Sequence, residues 1–174
     1  MELKLSNPLL SLRNITSRDD ECLYQVYSST RTEELAQLTN WSESQKEIFK
    51  RSQFRAQHNY YQANYTGASF WVIEYKNHVI GRLYLHANFE GKSIRIIDIS
   101  LLPNWRNKSI GKQVLSDILS FGEDLNRPVS IHVESFNRAM GFYMRLGFEL
   151  ISKTNGVYHL LEWKPVQLIT KKRA

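Results

Sequence analysis

Asp98-Ile-Ser-Leu-Leu-Pro-Asn-Trp-Arg-Asn-Lys-Ser-Ile-Gly111 carries the chain from a strand, through a tight turn, into a helix. The strand is Ser93 to Leu102, apolar and rich in isoleucine. Pro103 ends it, because proline supplies no ladder donor and pushes the residue before it toward extended geometry. Beyond the turn, Ile110, Val114, Leu115, Ile118, Leu119 and Leu125 fall at helical spacing, which predicts one amphipathic helix over Ser109 to Leu125, closed by Asn126-Arg-Pro128. Gly111 stands at the helix mouth with Arg106, Lys108 and Lys112 around it. A helix start presents unsatisfied N–H groups and partial positive charge, and a glycine lets the backbone approach a phosphate, so the segment is an expected anion cradle. The residues alone leave a solvated basic turn as the alternative. A nucleotide P-loop is excluded, since Gln113 follows Gly111-Lys112 where Ser or Thr is required and the spaced upstream glycine is missing.

Working outward, Leu9 to Ile15 alternates as a first strand, and Thr16-Ser-Arg-Asp-Asp-Glu21 reads as a cap with acids in the first turn of a helix. Ser42 to Tyr65 holds no Gly or Pro and predicts a long second helix whose faces are not cleanly separated. Ala68 to Tyr75 and Val79 to His86 form a predicted hairpin about Lys76-Asn-His78. Toward the C-terminus, Val129 to Val133 is a strand and Asn137 to Leu146 a helix ending at Gly147. Phe148 to Ser152 and Val157 to Trp163 close the chain as two strands around Thr154-Asn-Gly156. The order βααβββαβαββ implies an α/β (α+β) fold, a mixed, mostly antiparallel central sheet flanked by helices. Residues 1–165 are expected to form a single domain, followed by a basic tail over 166–174 that ends Lys171-Lys-Arg-Ala174.

The chain has 174 residues, 42% of them apolar and 23% charged, the values of a globular protein large enough to bury a core unaided. Neither a signal peptide nor a spanning helix is expected, and Cys22, the only cysteine, excludes an internal disulfide, so a cytoplasmic location is the expectation. No Cys and His cluster has metal-ligand spacing, and no metal is expected. The net charge of +6 and the pI near 9.4 favour anionic ligands. No recognisable nucleic-acid motif accompanies the charge.

The turn segment resembles the acetyl-CoA motif of the GNAT superfamily of N-acetyltransferases, whose usual form is Arg/Gln-x-x-Gly-x-Gly/Ala. Arg106 and Gly111 match it, while Ser109 stands where the first glycine is usual and could cap the helix. Asn137-Arg-Ala-Met-Gly-Phe-Tyr-Met-Arg-Leu-Gly-Phe148 is similar to the family's second motif, Asn-x-Ala-x-x-x-Tyr-x-x-Leu-Gly-Phe. The resemblance covers roughly Phe70 to Trp163. It implies a GNAT-like fold and an acetyltransferase that uses acetyl-CoA as co-substrate. The binding residues it implies are Ser100, Leu101, Leu102, Arg106, Asn107, Lys108, Ser109, Ile110, Gly111, Lys112, Asn137 and Tyr143. It also assigns the oxyanion donor to the backbone of the strand end at Leu101, where pantetheine would enter, and places the Tyr143 hydroxyl near the thioester sulfur.

The reaction so implied needs a base for the amine. Asp98 is the first candidate, an acid in an otherwise apolar strand, where a buried charge wants a reason; the alternative is a partner for Arg82 or Arg95. Glu134, ending its strand, and then His132 follow. The family's usual layout places the acceptor, a small-molecule or peptide amine, near Arg31-Thr-Glu-Glu-Leu35, Trp41, Gln53, Gln57, Tyr60 and Tyr61, with Glu33 and Glu34 as possible receivers of a cation or simply solvated residues. A non-catalytic acyl-CoA-binding domain is the competing function. No membrane or nucleic-acid partner is expected, and the two closing strands could support a homodimer.

Overall fold

The computed structural model describes residues 2–170. Its seven strands are β1 (Leu10–Asn14), β2 (Ser69–Tyr75), β3 (His78–Phe89), β4 (Ser93–Leu101), β5 (Val129–Glu134), β6 (Glu149–Thr154) and β7 (Tyr158–Trp163). They form one sheet in the order β1-β2-β3-β4-β5-β7-β6, with β4 and β5 parallel and the pairs β1/β2, β5/β7 and β6/β7 antiparallel. The helices are α1 (Asp20–Ala36), α2 (Glu43–Asn64), α3 (Ile110–Asp124), α4 (Met140–Arg145) and α5 (Val166–Thr170). The mixed sheet flanked by helices is the expected architecture. Among the described residues no helix is long and apolar enough to cross a membrane. Contacts divide the chain into two compact units, with β3 and β4 contributing to both.

One unit comprises Leu9–Tyr84 and Asp98–Gly111. Leu23, Tyr24 and Tyr27 of α1 pack with Phe54 of α2 and Val72 of β2, and Ile15 and Val79 lie against them. Phe54 is the only buried side chain of α2, its ring 5.8 Å from those of both Tyr24 and Tyr27. Side chains close both helix starts. The Ser42 hydroxyl accepts from the Gln45 N–H while the Gln45 side chain accepts from that of Ser42, a reciprocal cap. Before α1, the Asp19 carboxylate accepts from the Thr16 N–H at 2.7 Å and from both terminal nitrogens of Arg13.

The other unit comprises residues 1–8, Leu85–Ile97 and 112–174, of which 171–174 and residue 1 lie outside the described residues. Val114, Leu115, Ile118, Leu119 and Phe121 make the buried face of α3, as the spacing requires. The parallel register joins Ile94–Ile96 to Val129–Ile131. Asn155 and Gly156 both take positive φ, 51° and 68°, the geometry of a tight hairpin turn between β6 and β7. Two elements differ from the sequence reading. The helix expected from Asn137 begins only at Met140, because the Asn137 side-chain oxygen accepts from the Ala139 N–H and its own N–H goes to the Glu134 carbonyl, closing local turns instead of capping. The segment taken as the start of a tail forms α5, whose Val166 N–H reaches the Glu123 carboxylate at 3.2 Å; Lys171 and the residues after it lie outside the described residues.

Hydrogen bonds from Arg13 hold the Asp19 carboxyl well below the usual carboxylate range, against the opposing effect of burial. A depressed folded-state pKa stabilises the fold above the unfolded value, near 3.9, and that stability is lost as pH falls through the folded value. Asp19→Asn is therefore expected to lower the urea midpoint at pH 7, with the gap from the parent constant above about pH 5 and closing below about pH 4. Urea unfolding across that range checks it.

Candidate active site

The end of β4 is shaped by a close approach to β3. A Cβ built on Gly81 would lie 2.4 Å from the Ser100 carbonyl oxygen and 2.7 Å from a Leu101 methyl, so only glycine fits. The Ser100 carbonyl thus faces β3. In a trans peptide the N–H points opposite to the carbonyl, so the Leu101 N–H is directed away from β3. The next N–H, that of Leu102, turns back and donates to the Ile80 carbonyl at 2.8 Å, as strand alternation demands.

After the short turn Pro103–Trp105, Arg106 is extended and its side chain folds back. Its Nε donates to the Leu101 carbonyl at 2.8 Å and a terminal nitrogen to the Ser29 hydroxyl of α1 at 2.6 Å. Burial lowers its pKa, with Glu33 acting in the opposite sense. Arg106 is therefore a strut between the turn and α1. The exposed cation of the loop is Lys108, whose Nζ lies 5.5 Å from the Trp105 ring centre. Asn107 and Ser109 both take left-handed backbone, φ 59° and 62°, immediately before α3. Alternating backbone handedness of this kind gathers N–H groups into an anion-binding concavity, and the free N–H groups of a helix of 15 residues follow at once. Such donors are of the kind that bind an anion.

Asp98 and Ser100 lie on β4 in the same unit. Arg82, with its side chain 2% exposed, donates from Nε to Asp98 Oδ1 at 3.1 Å and from a terminal nitrogen to Oδ2 at 2.7 Å. That terminal nitrogen also meets Gln57 Oε1 of α2 at 3.0 Å. Burial alone would pull the Arg82 pKa down, and the Asp98 charge overrides it, so the guanidinium stays protonated. The partnership with Arg82 that the sequence left open is thus present. Of the expected acceptor residues, Gln57 is engaged in this network, Tyr61 stacks edge-on to Tyr84 at 6.1 Å, and Arg31 pairs with Glu34 at 3.0 Å. Gln53 and Tyr60 face solvent, and Trp41 lies edge-on to Phe49 at 5.3 Å.

In the other unit, Tyr143 of α4 is buried, its ring 5.6 Å from that of Phe148 and 5.9 Å from that of Phe142. The Tyr143 carbonyl accepts from both the Leu146 and Phe148 N–H groups, a wrap made possible by Gly147 at φ 89°. Glu134 ends β5 opposite Tyr158. His132 accepts an Arg95 hydrogen bond at Nδ1, 2.8 Å, and partial burial followed by the Arg95 charge lowers its pKa. Among the described residues no group of three or more His, Cys, Asp and Glu could hold a metal ion.

The sequence model of the Acetyltransferase (GNAT) family matches residues 32–148. The chain belongs to this family. Both motifs, Arg106 to Gly111 and Asn137 to Phe148, lie inside the matched span. Solved structures agree on the GNAT fold. PaiA N-acetyltransferase from Thermoplasma acidophilum, in complex with coenzyme A, superposes with a TM-score of 0.64 at 20% identity over 89% of this chain and 98% of that one. An acetyltransferase from Thermus thermophilus gives 0.65 at 14% identity over 94% and 99%. Arabidopsis thaliana Naa50, in complex with the bisubstrate analogue CoA-Ac-MVNAL, gives 0.57 at 15% over 90% and 99%. A search of curated proteins finds no significant match.

Against the GNAT motif, Ser109 has a physical reading. Its left-handed φ is one that a glycine adopts at no cost, and it is not the extended backbone of a usual capping serine. Two positions missed by the sequence reading also matter, Gly81 and Ser29. A glycine inside the apolar run Val79-Ile-Gly signals a close backbone approach and could have been found; a serine within α1 carries no such signal. Ser109→Gly is expected to relieve up to about 1 kcal/mol of backbone strain, raising Tm by roughly 2–4 °C in a thermal scan.

Proposed function

We propose that this chain transfers the acetyl group of acetyl-CoA to a primary amine of a small molecule or peptide, by direct attack of the amine on the thioester. The observation that carries the proposal is the Leu101 N–H, directed away from β3 beside a left-handed loop that opens α3. Membership of the GNAT family supports it, as do the relatives that hold coenzyme A or a CoA-peptide analogue.

Each residue has a part. The backbone N–H groups of Asn107 to Lys112 and the Lys108 charge receive the phosphates of the substrate. The Leu101 N–H stabilises the oxyanion that forms when the thioester carbonyl is attacked, and a fixed main-chain donor needs no reorganisation to do so. An amine acceptor with a pKa between about 8 and 10 must shed a proton before attack. Glu134, which ends β5, is assigned that proton, directly or through water. Tyr143 donates to the departing thiolate, because a phenol of pKa about 10 can protonate or hydrogen-bond a thiolate whose acid has a pKa about 8.5.

Acetyl-CoA at about 100 times its dissociation constant is expected to add about 2.7 kcal/mol to stability. The matching rise in Tm should be absent with ATP or an RNA oligonucleotide and smaller in Lys108→Ala/Lys112→Ala. An equal rise with every polyanion would reduce the loop to a generic basic turn. Tyr143→Phe, which keeps the ring packing against Phe148, should retain the shift yet slow acetyl-CoA-dependent thiol release with an amine panel by about 10²-fold. Unchanged turnover in that variant would remove Tyr143 from the chemistry.

A further inference from the structure

The Ser100–Leu101 peptide is held at several points. The Ser100 hydroxyl donates to Asp98 Oδ1 at 3.0 Å, and both oxygens of Asp98 are held by the Nε and one terminal nitrogen of a buried guanidinium that Gln57 buttresses from α2. The Ser100 carbonyl is packed over Gly81. On the far side, the Leu101 carbonyl is tied to Arg106 and the Leu102 N–H to Ile80. Three of these restraints are supplied by backbone or by the cofactor turn. The fourth, through Ser100, ties the peptide to the buried Arg82–Asp98 pair.

We infer that the Arg82–Asp98 pair acts through Ser100 as a positioning device for the Leu101 N–H. This deepens the acetyl-transfer reading and rests on it. An ion pair placed beneath a strand end stiffens that end, because a bidentate guanidinium–carboxylate fork has one preferred geometry and neither charge can leave its partner without being stranded in the interior. Asp98 Oδ1 transmits that fixed position to the Ser100 side chain, and the same residue's carbonyl carbon begins the peptide whose nitrogen bears the donor. An oxyanion donor is effective only when it already stands where the charge will develop, and an ångström of drift is enough to cost about a hundredfold in rate. Asp98 is on this account a positioning residue. Its carboxylate stays paired with Arg82 and is not the base.

The test reads the donor directly and needs no amine. Acetyl-CoA labelled with carbon-13 at the acetyl carbonyl is bound to the full chain, and the carbonyl resonance of the bound ligand is compared with that of the free ligand. A hydrogen bond to the carbonyl oxygen moves the resonance downfield. With the ligand at saturating concentration, the parent protein should show that displacement; Ser100→Ala should lose most of it; Ser100→Thr, which keeps the hydroxyl, should retain it. A Ser100→Ala protein with the parent's displacement would overturn the inference. So would a Ser100→Thr protein that loses the displacement as Ser100→Ala does, since packing and not the hydroxyl bond would then be responsible. If labelled acetyl-CoA binds to the parent without displacement, the Leu101 donor is wrong while the cofactor reading stands, and if it does not bind, the cofactor reading itself fails.

Discussion

β3 and β4 come closer at Gly81 than any side chain would allow, and the consequences of that contact run through the site. It turns the Ser100 carbonyl toward β3 and so sends the Leu101 N–H the other way. It also brings Arg82, the neighbour of Gly81 in sequence, within reach of Asp98. A buried guanidinium is expensive unless its donors are matched, and here the carboxylate and Gln57 match three of the contacts it can make. A residue with no side chain and a residue with a long charged one thus act on the same short stretch of β4.

The basic character of the turn after β4 divides into two kinds of work. Arg106 is a structural strut, its guanidinium half-buried against Leu101 and Ser29, so that a motif arginine serves the strand end and α1. In the function proposed above, the reception of an anion falls to main-chain N–H groups presented by the left-handed residues Asn107 and Ser109, with Lys108 adding charge at the surface. Backbone donors of this sort are fixed by φ and ψ, which is why a serine can stand where the family has glycine, provided the fold tolerates the strain of its conformation.

Much of the architecture was legible in the sequence because its signals are local. Strand alternation, the apolar spacing of α3, the cap at Thr16 and the turn residues Asn155-Gly156 each act within a few residues, and each element formed where its pattern lay. The end of the chain read less well. Val166 to Thr170 has too little periodicity to announce a helix, and the contact from Val166 to Glu123 joins residues far apart in the chain. The helix expected at Asn137 starts late for a related reason: an asparagine can cap a helix or close a turn on its own neighbours, and the sequence does not distinguish the two.

For the site, the sequence by itself determined the kinds of residue available and their order: a strand, a turn rich in cations, a helix mouth, and a second motif ending in Leu146-Gly-Phe148. Only the tertiary structure decided what each side chain does. Asp98 could be a base or an ion-pair partner until β3 put Arg82 beside it, and Arg106 could face an anion or the protein until α1 offered Ser29. The physical reason is the same in both. A charged side chain is committed by whichever partners share its burial, and those partners come from strands and helices that the fold, and not proximity along the chain, brings together.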